Sequence, residues 1–372
     1  MPRFDEFGVK WFQTPSGKLN AITDVEGVKV GHFTLIEGEG VWTPGHGPFR
    51  TGVTVILPHE GNLYEQKVPA AVHTINGFGK VAGFEQVREL GQLETPIALT
   101  GTLNVPRVAD ALMTLAIEEN PHIGVGFADS GRKGYASVNP VVGETSDGFL
   151  SDIQARPIGL LAVRAARANA ASGFVEEGAV GAGTGTSCFG WKGGIGTASR
   201  VVPDSAGGFT VGVLVQSNYG RPEELTMAGV SVGRHLQPPG YAKRPEAGSI
   251  MIIIATDAPL DSRQLSRLCH RAAFGLARTG SSCHGGSGDF VIAFSTAYRI
   301  HDRPEALLGK RSVILSEQPL IGALSAAVIE SVEEAIYNSL LMAQTVIGRD
   351  GNTRYGLPPE EVKTLLDGSR SD

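Results

Sequence analysis

Residues 248–255 read Gly248-Ser249-Ile250-Met251-Ile252-Ile253-Ile254-Ala255, and the run from Ile250 is the most hydrophobic strand-like stretch of the sequence. A short β-branched run that follows turn residues is typical of a buried strand. The residues before it form a polar, proline-containing connector over 234–248. We therefore expect Ser249 to open a core strand directly after an exposed, cleavable loop.

A serine in this position can serve as an N-terminal nucleophile. A cut between Gly248 and Ser249 would leave a hydroxyl and a free α-amine on one residue, and an α-amine titrates near neutrality, so it can take the hydroxyl proton without a histidine. Ser287 and Asp289 precede another apolar strand and could orient these groups, while the Asn218 amide could donate to an oxyanion. The alternative is an ordinary serine at the start of a strand, and the accompanying residues favour the nucleophile.

The rest of the chain mixes strands and helices. The patterns predict strands at 27–32, 52–57, 96–100, 209–215, 250–255 and 290–294, and helices at 108–119, 154–170, 262–280 and 320–345. The polar tail, 358–372, is expected to fray. No repeat or low-complexity linker divides the chain, so we expect one α+β domain over residues 1–372.

Composition argues against several functional classes. The net charge of −6, without a long run of one sign, is not typical of a nucleic-acid-binding protein, and a small-molecule partner is expected. The three cysteines form neither a CxxC pair nor an even disulfide framework, which indicates a reducing compartment. No apolar signal region or membrane-length apolar run occurs. We therefore expect a cytoplasmic protein that binds neither nucleic acid nor membrane.

Three other motifs compete for the function. Gly229-Val230-Ser231-Val232-Gly233 matches the GxSxG elbow, but that motif needs a helix directly after Ser231, and two prolines follow closely. The glycines at 181, 183 and 185 lack both the dinucleotide-motif spacing and the P-loop lysine, which favours close backbone packing. Cys283-His284 with Cys188 lacks structural-zinc spacing, so neither a metal nor a cofactor is expected.

Other ionisable or polar residues are assigned structural positions. Cys269 is expected in the core and His270 at the surface of one predicted helix, because these are the ordinary positions of the two residue types. The adjacent pairs Glu176-Glu177 and Glu333-Glu334 are expected to be solvated. None of these residues competes with Ser249 as the functional centre.

The chain resembles the DmpA/BapA family of L-aminopeptidase/D-esterases and β-peptidyl aminopeptidases along nearly its whole length. The matching segments occur in the family's order at residues 11–32, 140–145, 178–200, 217–220, 248–249, 255–260 and 286–289. The resemblance implies a four-layer αββα sandwich, similar to N-terminal-nucleophile hydrolases but differently connected. It also implies self-cleavage between Gly248 and Ser249 into an α chain, 1–248, and a β chain, 249–372, that stay associated in a tetramer of αβ units.

The same resemblance implies roles for individual residues. Ser249 is the nucleophile, with its own amine as the general base, and Asn218 supplies the oxyanion hole. Ser287 and Asp289 position the nucleophile, and Glu144 receives the free ammonium group of the substrate.

Two positions depart from the family pattern. Relatives often carry glutamate where this chain has Asp289. The shorter aspartate side chain places its carboxylate about one methylene further from the nucleophile than a glutamate would. In some relatives a tyrosine near position 146 assists the oxyanion hole, whereas this chain has Ser146. The second oxyanion donor and the preferred substrate therefore stay open.

The implied activity is removal of the N-terminal residue from short peptides, amino acid amides and esters, with L-, D- and β-amino acids all open. One alternative is an acyltransferase of the ornithine acetyltransferase type, which would transfer an acetyl group to an amine in preference to water. The other is an unprocessed, non-catalytic small-molecule-binding protein, which would remain one 39.0 kDa polypeptide.

Overall fold

The computed structural model describes residues 1–125, 136–241, 248–304 and 306–369. Within these ranges the strands are β1 Lys29–Glu37, β2 Phe49–Leu57, β3 Gln66–Gly77, β4 Gln92–Leu93, β5 Ile97–Gly101, β6 Val141–Thr145, β7 Ser187–Cys188, β8 Trp191–Lys192, β9 Ile195–Val201, β10 Thr210–Asn218, β11 Ser249–Thr256, β12 Gly288–Ser295, β13 Ile300–His301, β14 Val346–Ile347 and β15 Thr353–Arg354. The α-helices are α1 Phe84–Leu90, α2 Val105–Glu119, α3 Leu160–Ala168, α4 Ser262–Arg278, α5 Glu317–Leu341 and α6 Pro359–Gly368.

Two sheets form the centre of the molecule. The smaller sheet has the order β1-β2-β5-β6, and the larger has the order β13-β3-β12-β11-β10-β9 with β4 paired to β3. In the larger sheet, β11 runs parallel to β12 and antiparallel to β10. The strand that begins at Ser249 therefore lies in the interior of the sheet.

Strand β11 has apolar residues on both faces because it separates two apolar layers. Met251 and Ile253 point toward the smaller sheet, and Ile252 and Ile254 point toward the helices on the other side. Successive strand residues alternate between the two faces, so burial on both sides gives a continuous apolar run.

Three apolar clusters join four layers. The first packs α2 and α3 on the smaller sheet, the second fills the space between the sheets, and the third packs the larger sheet on α4, α5 and α6. The αββα sandwich implied by the sequence is confirmed. No helix of the described residues has the length and apolar character required to cross a bilayer.

The six predicted strands are all present, and the helix predictions differ mainly at their ends. The helix predicted over 154–170 is shorter, because Arg156 has a positive φ of 48° and Gly159 is the extended N-cap of α3. The prediction of a frayed tail is wrong for residues 359–368, which form α6 with Val362 and Leu366 buried against the core. Residues 370–372 of that tail lie outside the described residues.

The prediction of solvated glutamate pairs is wrong at three of the four positions. Glu333 and Glu334 are buried, with Trp11 Nε1 2.8 Å from Glu333 Oε1 and Arg200 Nη2 2.6 Å from Glu334 Oε2. The Glu177 side chain is also buried, 2.8 Å from Arg3 Nε, and only Glu176 is exposed. These partners come from distant parts of the chain. Cys269 is buried and His270 exposed, as predicted.

Candidate active site

Several strand ends meet at one edge of the larger sheet. Ser249, the first residue of β11, lies opposite Asn218, the last residue of antiparallel β10. On its other side Ser249 pairs with Gly288 at the start of parallel β12, and Gly288 pairs in turn with Gly77 at the end of β3. The register therefore brings the predicted nucleophile, Asn218 and the segment 287–289 together.

The Ser249 hydroxyl contacts the peptide group that precedes it. Its Oγ donates to the Gly248 carbonyl oxygen at 2.6 Å, and the same oxygen accepts from the Gly288 N–H at 3.0 Å. A Cβ at position 248 would lie 2.8 Å from Tyr219 Cβ, which leaves room there for glycine alone. Residues 242–247 of the predicted cleavable loop lie outside the described residues.

Ser287 and Asp289 form a buried pair beside this peptide group. Ser287 Oγ donates to Asp289 Oδ1 at 2.6 Å and lies 3.4 Å from the position that a Cβ on Gly248 would occupy. Burial raises the pKa of Asp289, while hydrogen bonds from Ser287 and the Cys283 thiol oppose the rise. The pair flanks Gly288, the register partner of Ser249 in β12.

The Asn218 side chain has a defined orientation. Its Oδ1 accepts a hydrogen bond from the Ser187 backbone N–H at 2.8 Å. Since a backbone N–H bonds only to an acceptor, this contact assigns the oxygen to the Ser187 side and the Nδ2 group to the other. Asn218 is therefore arranged as a hydrogen-bond donor.

Glu144 reaches the same region from the smaller sheet. It lies in β6, is buried, and accepts from the Lys80 N–H at 2.9 Å through Oε1. The backbone at Gly79 packs closely on both sides. If Gly79 carried a Cβ, that atom would lie 3.1 Å from Glu144 Oε1, and a Cβ on Gly288 would lie 3.1 Å from Gly79 Cα. Gly79 thus separates Glu144 from the strand end at Ser249.

The ionisation of Glu144 is set by burial. Burial raises the pKa of Glu144, and hydrogen bonds from the Lys80 N–H and the Thr102 side chain lower it in part. Ser146, two residues later, is exposed, and its Oγ accepts from the Gly148 N–H at 3.4 Å. The sequence-predicted Ser146 therefore lies on an exposed turn directly after Glu144.

The competing motifs have other structural roles. Ser231 is followed by the 3-10 helix Val232–Arg234 instead of the α-helix of a nucleophile elbow. The glycine stretch packs closely, since a Cβ on Gly185 would lie 2.0 Å from the Arg50 carbonyl oxygen. His284 Nε2 lies 3.0 Å from Glu224 Oε1.

Among the described residues, the one cluster of His, Cys, Asp and Glu side chains with metal-ligand spacing consists of Glu65, His122 and Asp302. The Lys67 ammonium lies 2.7 Å from Asp302 Oδ1.

Sequence reasoning missed two groups that hold the site. Asn76, at the end of β3, donates through Nδ2 to the carbonyl oxygen of Ser287. Ser187 and the buried Lys192 lie in the glycine-rich stretch that sequence analysis explained by backbone packing alone. A lysine inside an apolar, glycine-rich segment is the one local signal that could have indicated this role.

The family follows from a match that spans most of the chain. The model of peptidase family S58 matches residues 20–354. This chain belongs to peptidase family S58. It is 38% identical, over 98% of its own length and 91% of the relative's, to the β-peptidyl aminopeptidase BapA of Sphingosinicella xenopeptidilytica.

Solved structures resemble this S58 peptidase over its full length. The PH0078 protein of Pyrococcus horikoshii OT3 is 48% identical with a TM-score of 0.90, covering 99% of each chain. A β-aminopeptidase of Burkholderia sp. is 41% identical with a TM-score of 0.86, covering 100% of this chain and 99% of that one. The L-aminopeptidase D-Ala-esterase/amidase of Ochrobactrum anthropi, described as a new variant of the Ntn hydrolase fold, is 35% identical with a TM-score of 0.88 and the same coverage.

Membership in the S58 family confirms the resemblance drawn from the sequence. The chain is a hydrolase with an αββα variant of the N-terminal-nucleophile fold. This favours the hydrolase over both alternatives, the acyltransferase and the non-catalytic binding protein.

Proposed function

We propose that this S58 peptidase is an N-terminal-serine aminopeptidase that matures by cutting its own chain between Gly248 and Ser249. The observation that carries the proposal is the 2.6 Å contact between Ser249 Oγ and the Gly248 carbonyl oxygen. It occurs where Asn218 and the Ser287–Asp289 pair also converge.

Maturation begins when Ser249 Oγ attacks the Gly248 carbonyl carbon. The Gly288 N–H, 3.0 Å from the carbonyl oxygen, stabilises the charge that develops there. The C–N bond then breaks, the acyl group moves to Oγ, and the nitrogen takes a proton to become the α-amine. Water hydrolyses the ester, which leaves a carboxylate on Gly248 and regenerates the Ser249 hydroxyl.

Turnover uses the new amine as the general base. It accepts the hydroxyl proton as Oγ attacks the substrate carbonyl, and Asn218 Nδ2 donates to the oxyanion. The leaving amine or alcohol departs with a proton, and water then releases the acyl group from Ser249. The Ser287 hydroxyl and the Asp289 carboxylate hold the amine and hydroxyl in position.

The substrates are short peptides, amides and esters with a free amino end. A buried ammonium group needs a charged partner, and Glu144 supplies that carboxylate, with Ser146 on the adjoining turn. Substrate binding requires ionised Glu144, and burial raises its pKa, so binding weakens on the acid side. Relatives are named β-peptidyl aminopeptidase, β-aminopeptidase or L-aminopeptidase D-Ala-esterase/amidase, and the choice among L-, D- and β-amino acid substrates is open. The cytoplasmic location and the tetramer of αβ units stay predictions.

Intact mass under denaturing conditions tests self-cleavage. We expect wild type to give two fragments, 1–248 and 249–372, and Ser249→Ala to give one 39.0 kDa chain. Ser231→Ala is the matched control, because it removes the other candidate nucleophile, and should be cut like wild type. An uncut wild-type chain would overturn the proposal. Cleavage at another bond would assign the nucleophile to a residue other than Ser249.

Paired substrates test the role of Glu144. A free dipeptide should be cleaved and its N-acetylated form should not, and Glu144→Gln should raise KM about tenfold or more, because a hydrogen bond to a charged group is lost. Glu94→Gln is the control, since Glu94 is also buried and accepts a backbone N–H, from Asn139 at 2.7 Å. Equal cleavage of free and acetylated peptides would refute exopeptidase action.

A further inference from the structure

Part of the chain outside the proposed mechanism determines the orientation of Asn218. The Ser187 N–H, 2.8 Å from Asn218 Oδ1, fixes which end of the amide faces Ser187, and Asn218 is the register partner of Ser249. A shift of Ser187 would release the amide, and either end could then face the oxyanion. The position of Ser187 therefore bears directly on which end of the Asn218 amide is presented to an oxyanion.

Lys192 fixes the hairpin that contains Ser187. Strands β7 and β8 pair so that Ser187 lies opposite Lys192. The fully buried Lys192 ammonium donates to the carbonyl oxygens of Gly183 at 2.8 Å and Gly193 at 2.5 Å, one before and one after the hairpin. These bonds tie the two ends of the hairpin together.

Burial of this ammonium is costly. Burial lowers the pKa of Lys192 to about 7, while the nearby Asp147 and Cys188 favour its charged form and Arg354 disfavours it. An apolar side chain would fill the same space without the desolvation cost. Retention of a lysine here is explained by the two carbonyl contacts that it makes.

Arg354 holds Ser187 from the other side. Its Nε donates to Ser187 Oγ at 2.9 Å, and its guanidinium carbon lies 3.7 Å from the centre of the Phe149 ring. The neighbouring Tyr355 carbonyl oxygen accepts from the Lys192 N–H at 2.7 Å. Arg354 and Tyr355, at the end of the β14–β15 ribbon, therefore anchor the hairpin at both of its strands.

We propose that Lys192 and Arg354 are positioning residues of the oxyanion hole, which act through Ser187 to keep Asn218 Nδ2 turned toward the reacting carbonyl. The inference rests on the proposed function. Arg354 also lines a cavity of about 300 Å³. A substrate-binding role for Arg354 is therefore the alternative that the experiment must separate.

A double-mutant cycle with Asn218→Ala provides the test. We expect Arg354→Met, which keeps the aliphatic stem and removes the donor, to lower kcat on a free dipeptide about tenfold with KM within about twofold. In the Asn218→Ala background the same change should cause no further loss, because its effect passes through that amide. Ser187→Ala removes the acceptor of Arg354 but keeps the N–H, and should reproduce the Arg354→Met result.

Controls separate the possible outcomes. Activity is expressed per cleaved chain, with the cleaved fraction measured by intact mass, so that a change in self-cleavage does not enter kcat. Arg349→Met is the matched control, since Arg349 lies in the same ribbon and stacks on Trp42 at 4.0 Å without contacting Ser187, and kcat should be unchanged. A rise in KM at constant kcat would make Arg354 a substrate-binding residue and overturn the inference, as would equal losses with and without Asn218.

Lys192→Met gives a second cycle, with the melting temperature recorded to detect unfolding. The inference is supported if the folded Lys192→Met variant has a lower kcat when Asn218 is present and no further loss in the Asn218→Ala background. If kcat of the folded variant is unchanged, Lys192 is not a positioning residue. Full turnover by Asn218→Ala would overturn both the oxyanion assignment and the positioning role. A large Asn218 effect with additive Arg354 losses would overturn the positioning role alone.

Discussion

Ser249 and Asn218 are register partners on adjacent strands, so the nucleophile and the proposed oxyanion donor are fixed by one backbone ladder. Their side chains have different supports. Ser249 Oγ contacts the preceding carbonyl, whereas Asn218 is oriented by Ser187 from a separate hairpin. Removal of one atom at either residue should change the chemistry without changing the fold.

The first prediction for a single residue concerns Asn218. We expect Asn218→Ala to lower kcat about a hundred- to a thousandfold, because one oxyanion donor is lost. Asn218→Asp keeps an oxygen for the Ser187 N–H but also lacks the Nδ2 donor, so it should lose activity to a similar extent. Steady-state kinetics per cleaved chain measures both, and full turnover in either variant would contradict the assignment.

His32 provides a prediction for pH-dependent stability. Its Nδ1 lies 2.9 Å from Thr54 Oγ1, and burial lowers the pKa of His32 from 6.5 to about 4. Below pH 6.5 the unfolded chain therefore binds a proton that the native chain does not bind until about pH 4. The contribution of neutral His32 to the free energy of unfolding is therefore fully present above pH 6.5 and is lost progressively as the pH falls.

The size of the loss can be measured by urea unfolding of uncut Ser249→Ala chains with His32 or His32→Gln. Between about pH 7.5 and about pH 4.5 the His32 chain should lose about 2 kcal/mol more than the His32→Gln chain. Parallel pH curves for the two chains would show that His32 has the same pKa in the folded and the unfolded chain.

Individual elements show which local patterns are reliable. Helix α4 begins where the sequence predicts, because Asp261 accepts from the Gln264 N–H at 2.8 Å and Gln264 Oε1 accepts from the Asp261 N–H at 2.9 Å. Helix α5 is less predictable, since Glu333 and Glu334 point into the protein. A capping box is a local motif, whereas a buried glutamate depends on partners from other elements.

The cap of α4 gives a prediction at the element scale. We expect Asp261→Ala to lower the free energy of unfolding by about 1 kcal/mol, because an N-terminal N–H of the helix loses its acceptor. Asp110→Ala, at an exposed position inside α2, is the control and should be neutral or slightly stabilising. Urea unfolding in the uncut Ser249→Ala background compares them, and equal effects would show that the cap contributes nothing.

At the scale of the whole molecule, the two proposed fragments interleave. Strands β11 and β12 belong to 249–372, and they lie between β10 and β3, which belong to 1–248. The β10–β11 and β12–β3 ladders therefore both cross from one fragment to the other. Separation would break three hydrogen-bonded ladders, these two and the short β13–β3 pair, and expose the apolar layers on both faces of the sheet.

We therefore expect the cleaved fragments to remain together in native conditions. Native mass spectrometry or gel filtration should give one species that contains both fragments, and denaturant should separate them. Uncut Ser249→Ala is the control and should elute at the same position as cleaved wild type. Dissociation without denaturant would contradict the interleaved arrangement.

The sequence by itself determined the buried strand at Ser249, the αββα architecture through its family resemblance, and the polar residues at the strand ends. These features depend on local patterns or on motifs that can be recognised one by one along the chain. Only the tertiary structure decided how Asn218 is oriented, because Ser187, Lys192 and Arg354 meet across separations such as the 167 residues between Ser187 and Arg354. The burial of the glutamates of α5 and the packing of helix α6 also depend on contacts between residues that are distant in the sequence. A polar group is stable in the interior only beside its partner, and that partner is chosen by proximity in space.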